Sequence, residues 1–396
     1  MRKFLLTALC LLVVLSCFCQ PYKIGHREIT WIDSSRDNRS VMFEIYYPAA
    51  SDADNVPVVK DKGKKYPLVV FGHGYQLTYK DYLWFKDSLV PKGFFLVFPR
   101  TAEQTFPNHT DFAKDYAFLI EKFDATKTQK GAWYYNRIKN RYAVGGHSMG
   151  GGCSLLSVQY SSKITAVFNF AAAETNPSAI AACSNISIAS LLFAGGKDCI
   201  APTASNQTPM YNNIQNFCKT YGEITNARHC QWANNSSVCR AGEIFCSPLS
   251  ASPKATLSAT FSLLLPWLND KLNLDNSEKE RFQSLLTSTS GITYKQSCTS
   301  STGFLKEQQN NTVVNLIKVF PSAIHPGQKL NIELPKLQFT AMLEIFNQSG
   351  GTIFKEDVTQ FSKQTIQVSS ANFQKGIYFV VVNVGSAQYK ASFLIE

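Results

Sequence analysis

The 396-residue chain has a single long apolar run, and it contains no C-x2-C pair and no H-x3-5-H spacing. The run, residues 4–15, falls short of the ~20 apolar residues that a bilayer-crossing helix needs, so no transmembrane segment is expected. Without closely spaced Cys or His pairs, the eleven cysteines do not read as a zinc site, and no metal or organic cofactor is expected. Charge is also sparse, at 17% of residues, but 45% hydrophobic content gives ample material for a core and excludes a disordered chain. The net charge of +11, lowered by two when Arg2 and Lys3 leave with the leader, is scattered. Its one local run, residues 60–65, holds Asp and Gly and reads as a solvated loop rather than a nucleic-acid surface.

Residues 1–20 combine Arg2-Lys3, the apolar run and Ser16-Cys17-Phe18-Cys19-Gln20, the pattern of a secretory signal peptide. Leu15-Ser16-Cys17 loosely resembles a lipoprotein processing box, which leaves lipidation at Cys17 as an alternative. The eight cysteines that remain, Cys153, Cys183, Cys199, Cys218, Cys230, Cys239, Cys246 and Cys298, read as disulfides in an exported protein.

Cysteine stops at Cys298 and tryptophan at Trp267, while aromatic and β-branched residues continue to the end. A Ser-, Thr-, Gln- and Asn-rich stretch follows Cys298. The expected organisation is a first domain over residues 21–299, a linker over 300–316 and a second domain over 317–396. In the first domain, short apolar runs at 67–71, 94–98, 142–145, 165–170 and 189–193 alternate with helix-length segments at 79–89, 111–123 and 149–160, after two adjacent strands at 26–32 and 41–47. This predicts an α/β fold, a mostly parallel sheet with helices on both faces. In the second domain, period-two alternation as in Leu330-Asn331-Ile332-Glu333-Leu334 predicts a small all-β sandwich.

Between the run at 142–145 and a helix-length segment lies Gly146-His147-Ser148-Met149-Gly150, a G-x-S-x-G motif in strand–turn–helix context. A serine hydroxyl is a poor nucleophile and needs a base, which in turn needs an orienting carboxylate. In this fold the chain order is Ser, acid, His. Only His229 and His325 follow Ser148, and His325 lies beyond the linker, so His229 is the expected base. Of Glu174, Asp198 and Glu223 in between, Asp198 follows the apolar run 189–193 through a Gly-rich turn and is the expected acid, with Glu174 as competitor and Glu223 placed before a strand at the wrong edge. Backbone N–H groups of Met149 and of Tyr75, in Gly72-His73-Gly74-Tyr75-Gln76, are the expected oxyanion donors.

The extended Gly146-His147-Ser148-Met149-Gly150-Gly151-Gly152, with Asp198-Cys199-Ile200-Ala201-Pro202 and Gly74-Tyr75, resembles the bacterial cutinases and poly(ethylene terephthalate) hydrolases over roughly residues 24–272. The resemblance implies an α/β-hydrolase fold, a Ser148–Asp198–His229 triad, and substrate walls from Tyr75, Met149 and Ile200. The family's substrate-stacking Trp is missing from 171–177, and Trp232, three residues past His229, is a candidate substitute ring. Because Cys199 and Cys230 directly follow the acid and base, a disulfide bracing those loops is expected, with Cys230 or Cys239 as partner of Cys199 and Cys246 with Cys298 as a second bridge. Val319-Phe320-Pro321, residues 376–380 and the closing residues 390–395 resemble a type IX secretion C-terminal sorting domain, which implies the type IX machinery as partner and a secreted or cell-surface destination. The combined expectation is a monomeric, secreted serine carboxylic ester hydrolase acting on polyesters, including poly(ethylene terephthalate), and short-chain esters. The alternatives are a lipase or phospholipid acetylhydrolase, and a surface binding module on a hydrolase scaffold.

Overall fold

The computed structural model describes residues 22–298 except 62, 216–217, 234–235, 245 and 247–249, and residues 318–395 except 322, 335–340, 348–350, 359–363 and 385–386. The expected signal peptide over residues 1–20, with Cys17, and the expected linker over 300–316 lie outside the described residues. The chain divides into two compact units, residues 1–301 and 302–396.

Strands without polar alternation need cover on both faces, and the first unit supplies it. Its strands are β1 (Lys23–Asp33), β2 (Arg39–Ala49), β3 (Ala53–Asp54), β4 (Tyr66–Gly72), β5 (Phe95–Pro99), β6 (Ile138–His147), β7 (Ile164–Phe170), β8 (Ala189–Gly195), β9 (Cys218–Ile224) and β10 (Ile292–Cys298). They form one sheet in the order β10-β9-β8-β7-β6-β4-β5-β2-β1-β3. From β5 through β9 every neighbouring pair is parallel, while β2 and β10 join the two sides antiparallel. The helices are α1 (Leu83–Leu89), α2 (His109–Thr126), α3 (Met149–Ser157), α4 (Ala179–Ala182), α5 (Gln207–Asn213), α6 (Ser237–Gly242), α7 (Pro253–Leu268) and α8 (Asn276–Ser288).

Successive strand residues point to opposite faces, and β4 shows the result. Leu68 and Val70 join a core with Phe112, Leu119 and Leu155 of α2 and α3, whereas Val69 and Phe71 join a second core with Phe85, Leu263 and Trp267 of α1 and α7. The expected mostly parallel sheet with helices on both faces is therefore present. The strand ends matter for chemistry: β4, β6 and β8 finish at Gly72, His147 and Gly195, and the segments leaving them hold Tyr75, Ser148 and Asp198. The carboxyl ends of an α/β sheet are where such folds place their sites.

The second unit consists of β11 (Lys318–Phe320), β12 (Ala323–Ile324), β13 (Lys329–Leu334), β14 (Ala341–Asn347), β15 (Thr352–Val358), β16 (Gln364–Ser369), β17 (Gly376–Val384) and β18 (Ala387–Ile395). Two sheets, β11-β13-β16 and β12-β18-β17-β14-β15, share one core that includes Leu330, Ile332, Leu343, Ile345 and Val380. Pairing is antiparallel throughout except between β12 and β18.

Among the described residues, each unit has a hydrophobic core of its own. A chain ending at Ser301 is therefore expected to unfold cooperatively at the midpoint of the full chain's corresponding transition. Scanning calorimetry of both proteins checks this, and a lower or broadened transition in the shorter chain would refute it.

Candidate active site

Ser148 sits between β6 and α3 with φ 54° and ψ −122°. This is a strained conformation for a residue with a side chain, costing on the order of 1–3 kcal/mol. Three hydrogen bonds hold it: the Ser148 N–H donates to the Phe170 carbonyl at 3.0 Å, and the Ser148 carbonyl accepts from Gly152 at 3.0 Å and Ala173 at 2.9 Å. The flanking glycines are a steric necessity. A Cβ at Gly146 would strike the Gly150 backbone, and one at Gly150 would strike the carbonyls of Gly72 and His73. The turn thus packs directly on the end of β4.

Asp198 is set by the turn after β8, where its N–H donates to the Gly195 carbonyl at 3.0 Å and that of Lys197 to Ala227 at 2.9 Å. Its Oδ1 accepts the N–H groups of Ile200 at 2.9 Å and Ala201 at 2.8 Å. Its Oδ2 lies 2.7 Å from Nδ1 of His229. Both side chains are buried. A ring N–H donated from Nδ1 leaves Nε2 of a neutral imidazole with its lone pair, the form a general base requires.

His229 begins a 3-10 turn, residues His229–Trp232, after β9. The rings of His229 and His147, the residue before Ser148, lie 4.7 Å apart, and His147 Nε2 is 3.0 Å from the His229 carbonyl. The sheet therefore brings Ser148, Asp198 and His229 from three strand ends into one place. Gly74 completes the group, since a Cβ on it would lie 3.3 Å from Ser148 Cβ. That puts the Gly74–Tyr75 peptide beside the serine, which Met149 follows as the first residue of α3. The Tyr75 ring is 46% exposed, its hydroxyl donating to the Thr105 carbonyl at 2.8 Å, and Ile200 is 42% exposed. Met149 is nearly covered.

Of the competing carboxylates, Glu174 is exposed, with Oε2 accepting the Ile180 N–H at 2.9 Å. Glu223 lies within β9 rather than before a strand, and its Oε2 accepts from the Tyr221 hydroxyl at 2.8 Å. His325 is exposed in the second unit. His73 is buried against Phe112 with Nδ1 2.9 Å from the Gly74 carbonyl, and burial pulls its ring down to about 4, so it stays neutral.

Comparison with known proteins gives the family of each unit. A family model described as PET hydrolase-like matches residues 43–247, just over half of the chain, and one described as a secretion system C-terminal sorting domain matches residues 319–396. Among curated proteins, cutinase est1 of Thermobifida alba is 27% identical over 187 residues, 47% of this chain and 56% of that protein. The match thus spans little more than half of that relative's length. The sorting domain assigns the chain to type IX export, to the outside or the cell surface.

Several expectations need correction. Cys199 is joined to Cys246, not to Cys230 or Cys239, and Cys230 is joined to Cys239, so Cys246 is not available to Cys298. Cys230 and Cys239 are already within bridging reach, with Cα atoms 5.5 Å apart, because the chain folds back from the 3-10 turn into α6. Cys153 and Cys183 are free thiols, packed in the first core on α3 and just after α4. Burial raises both thiols above their ordinary range. Trp232 is no substrate wall: it is fully buried, stacked near Phe170, with Nε1 donating to Thr260 at 2.8 Å and its carbonyl accepting from Trp84 Nε1 at 2.8 Å. The turn that sets the His229 ring against Asp198 directs Trp232 toward Phe170 and Thr260. Tyr82, which contacts both Gly74 and His147, carried no signal in the sequence.

Trp232→Ala is expected to cost about 3–5 kcal/mol in denaturant unfolding, as emptying a large core site does. Activity per folded molecule should fall alike on aromatic and aliphatic esters. Unchanged stability with a loss confined to aromatic substrates would return Trp232 to the substrate.

Proposed function

This chain belongs to the PET hydrolase-like family, and from that premise we propose that it is a serine carboxylic ester hydrolase cleaving polyesters and short-chain esters outside the cell. The observation that carries the reading is the 2.7 Å pairing of buried Asp198 with His229 beside the strained Ser148 turn.

In the proposed reaction, Ser148 Oγ attacks the ester carbonyl as His229 Nε2 takes its proton. Asp198 stabilises the resulting imidazolium. The Tyr75 and Met149 N–H groups donate to the oxyanion, which collapses as His229 returns the proton to the departing alcohol. Water, deprotonated by the same ring, then releases the acid. No step calls for a metal or organic cofactor. Exposed Tyr75 and Ile200 give apolar rims suited to a polymer chain. With Trp232 buried, Tyr75 is the aromatic contact assigned to the substrate.

Wild-type protein should react with a fluorophosphonate probe, whereas Ser148→Ala should not. His229→Ala should lose turnover by several orders of magnitude, roughly the cost of breaking a triad. A reactive Ser148→Ala protein would dismiss the assignment. Tyr75→Ala keeps its backbone donor, so it should slow release of soluble aromatic product from amorphous poly(ethylene terephthalate) film by up to about tenfold more than p-nitrophenyl acetate hydrolysis. Good short-ester turnover with no product from film would instead favour a small-ester hydrolase.

A further inference from the structure

Three loops must keep register for the proposed reaction: the Gly74–Tyr75 loop, the Ser148 turn and the His229 turn. One buried chain of hydrogen bonds crosses all three. The Gly74 N–H lies 2.9 Å from the Tyr82 hydroxyl, that hydroxyl lies 2.8 Å from His147 Nδ1, and His147 Nε2 lies 3.0 Å from the His229 carbonyl. Both Tyr82 and His147 are wholly buried, so water does not substitute for either partner.

The protons along this chain have one arrangement. A carbonyl only accepts, so His147 Nε2 bears the hydrogen toward His229. Burial, reinforced by the neighbouring His229, keeps the His147 ring neutral, which leaves a lone pair on Nδ1. Tyr82, held protonated by burial, must then donate to Nδ1 and accept from Gly74. The Gly74 carbonyl is fixed as well, accepting from Leu77 N–H at 3.1 Å with His73 Nδ1 at 2.9 Å. Both faces of the peptides flanking Gly74 are therefore tied.

We propose that Tyr82 and His147 are positioning residues that lock the oxyanion loop and the base loop to the nucleophile turn through this relay. The inference rests on the triad reading above. Neither side chain touches the ester. Their part is to hold the Tyr75 N–H and the His229 ring in transition-state geometry.

Tyr82→Phe removes one hydroxyl and keeps the ring that packs on Phe71 at 5.3 Å. With p-nitrophenyl butyrate, kcat is expected to fall by about tenfold or more with KM within about twofold. Affinity for a boronic acid, which mimics the tetrahedral state, should fall by the same factor as kcat/KM. A kcat within about twofold of wild type, or a loss carried by KM, would overturn the proposal. Should that variant fail to fold, the test passes to wild-type protein carrying 15N-labelled histidine. The His147 ring is expected with Nε2–H and bare Nδ1, and the opposite tautomer would overturn the relay. His147→Gln, whose amide offers a donor toward His229, should likewise keep more kcat than His147→Leu, and equal losses would count against the proposal. An active wild type with an unaffected Tyr82→Phe rejects only the relay, whereas a probe-reactive Ser148→Ala rejects the underlying reading.

Discussion

The left-handed backbone at Ser148 is the constraint around which the first unit is arranged. A side chain held at φ 54° persists only where its surroundings leave no relaxed alternative. Those surroundings are the carbonyl of Phe170 at the end of β7, the backbone of Gly72 and His73 at the end of β4, and the first turn of α3. Each contact is backbone to backbone, which is why glycine occupies 146, 150 and 152 and why the geometry tolerates no added methyl group there. The parallel order β4-β6-β7 supplies these ends side by side. The fold and the strained serine are thus one structural solution.

Most of this was legible in the sequence, for identifiable reasons. The runs at 67–71 and 142–145 are apolar without alternation because they are covered on both faces, whereas a strand with one face in water alternates. The candidates for base and acid were few because only two histidines follow Ser148 and only three carboxylates lie between Ser148 and His229. What stayed hidden depends on where the chain returns in space. Trp232 reads like a rim residue until the 3-10 turn is seen to point it at Phe170 and Thr260. Cysteine pairing likewise depends on which loops meet, and adjacency of Cys199 to Asp198 said nothing of Cys246. Strand β15, written Thr352-Ile353-Phe354-Lys355-Glu356-Asp357-Val358, has too many charged residues to stand out. It is fixed by pairing with β14 at the edge of its sheet.

The corrected disulfides show how the loops holding Asp198 and His229 are steadied. One short segment, from Cys239 to Cys246, reaches both. Cys239 is bonded to Cys230, next to His229, and Cys246 to Cys199, next to Asp198. Between them, buried Glu243 accepts the Cys230 N–H at 2.7 Å. The Cys199–Cys246 bridge spans 47 residues, and closing a loop of that size removes about 4 kcal/mol of unfolded-chain entropy in the simplest treatment. Because that loop contains His229, the restraint falls on the segment that must keep its ring against Asp198.

This arrangement separates stiffness from exposure. The groups assigned to bond making, Ser148, Asp198 and His229, are buried and tied from several sides, while four exposed apolar side chains lie next in sequence to residues that make such ties. Ile200 follows Cys199, Ile244 follows Glu243, Val238 precedes Cys239, and Phe106 follows the Thr105 carbonyl that receives the Tyr75 hydroxyl. Isolated exposed apolar side chains are ordinary on a protein surface, and Ile200 is set apart by its place two residues after Asp198. Anchoring cuts the entropy lost when such residues meet a surface. Under the proposed reading, a rigid interior beside exposed Tyr75 and Ile200 would suit a polymer chain better than a small soluble ester.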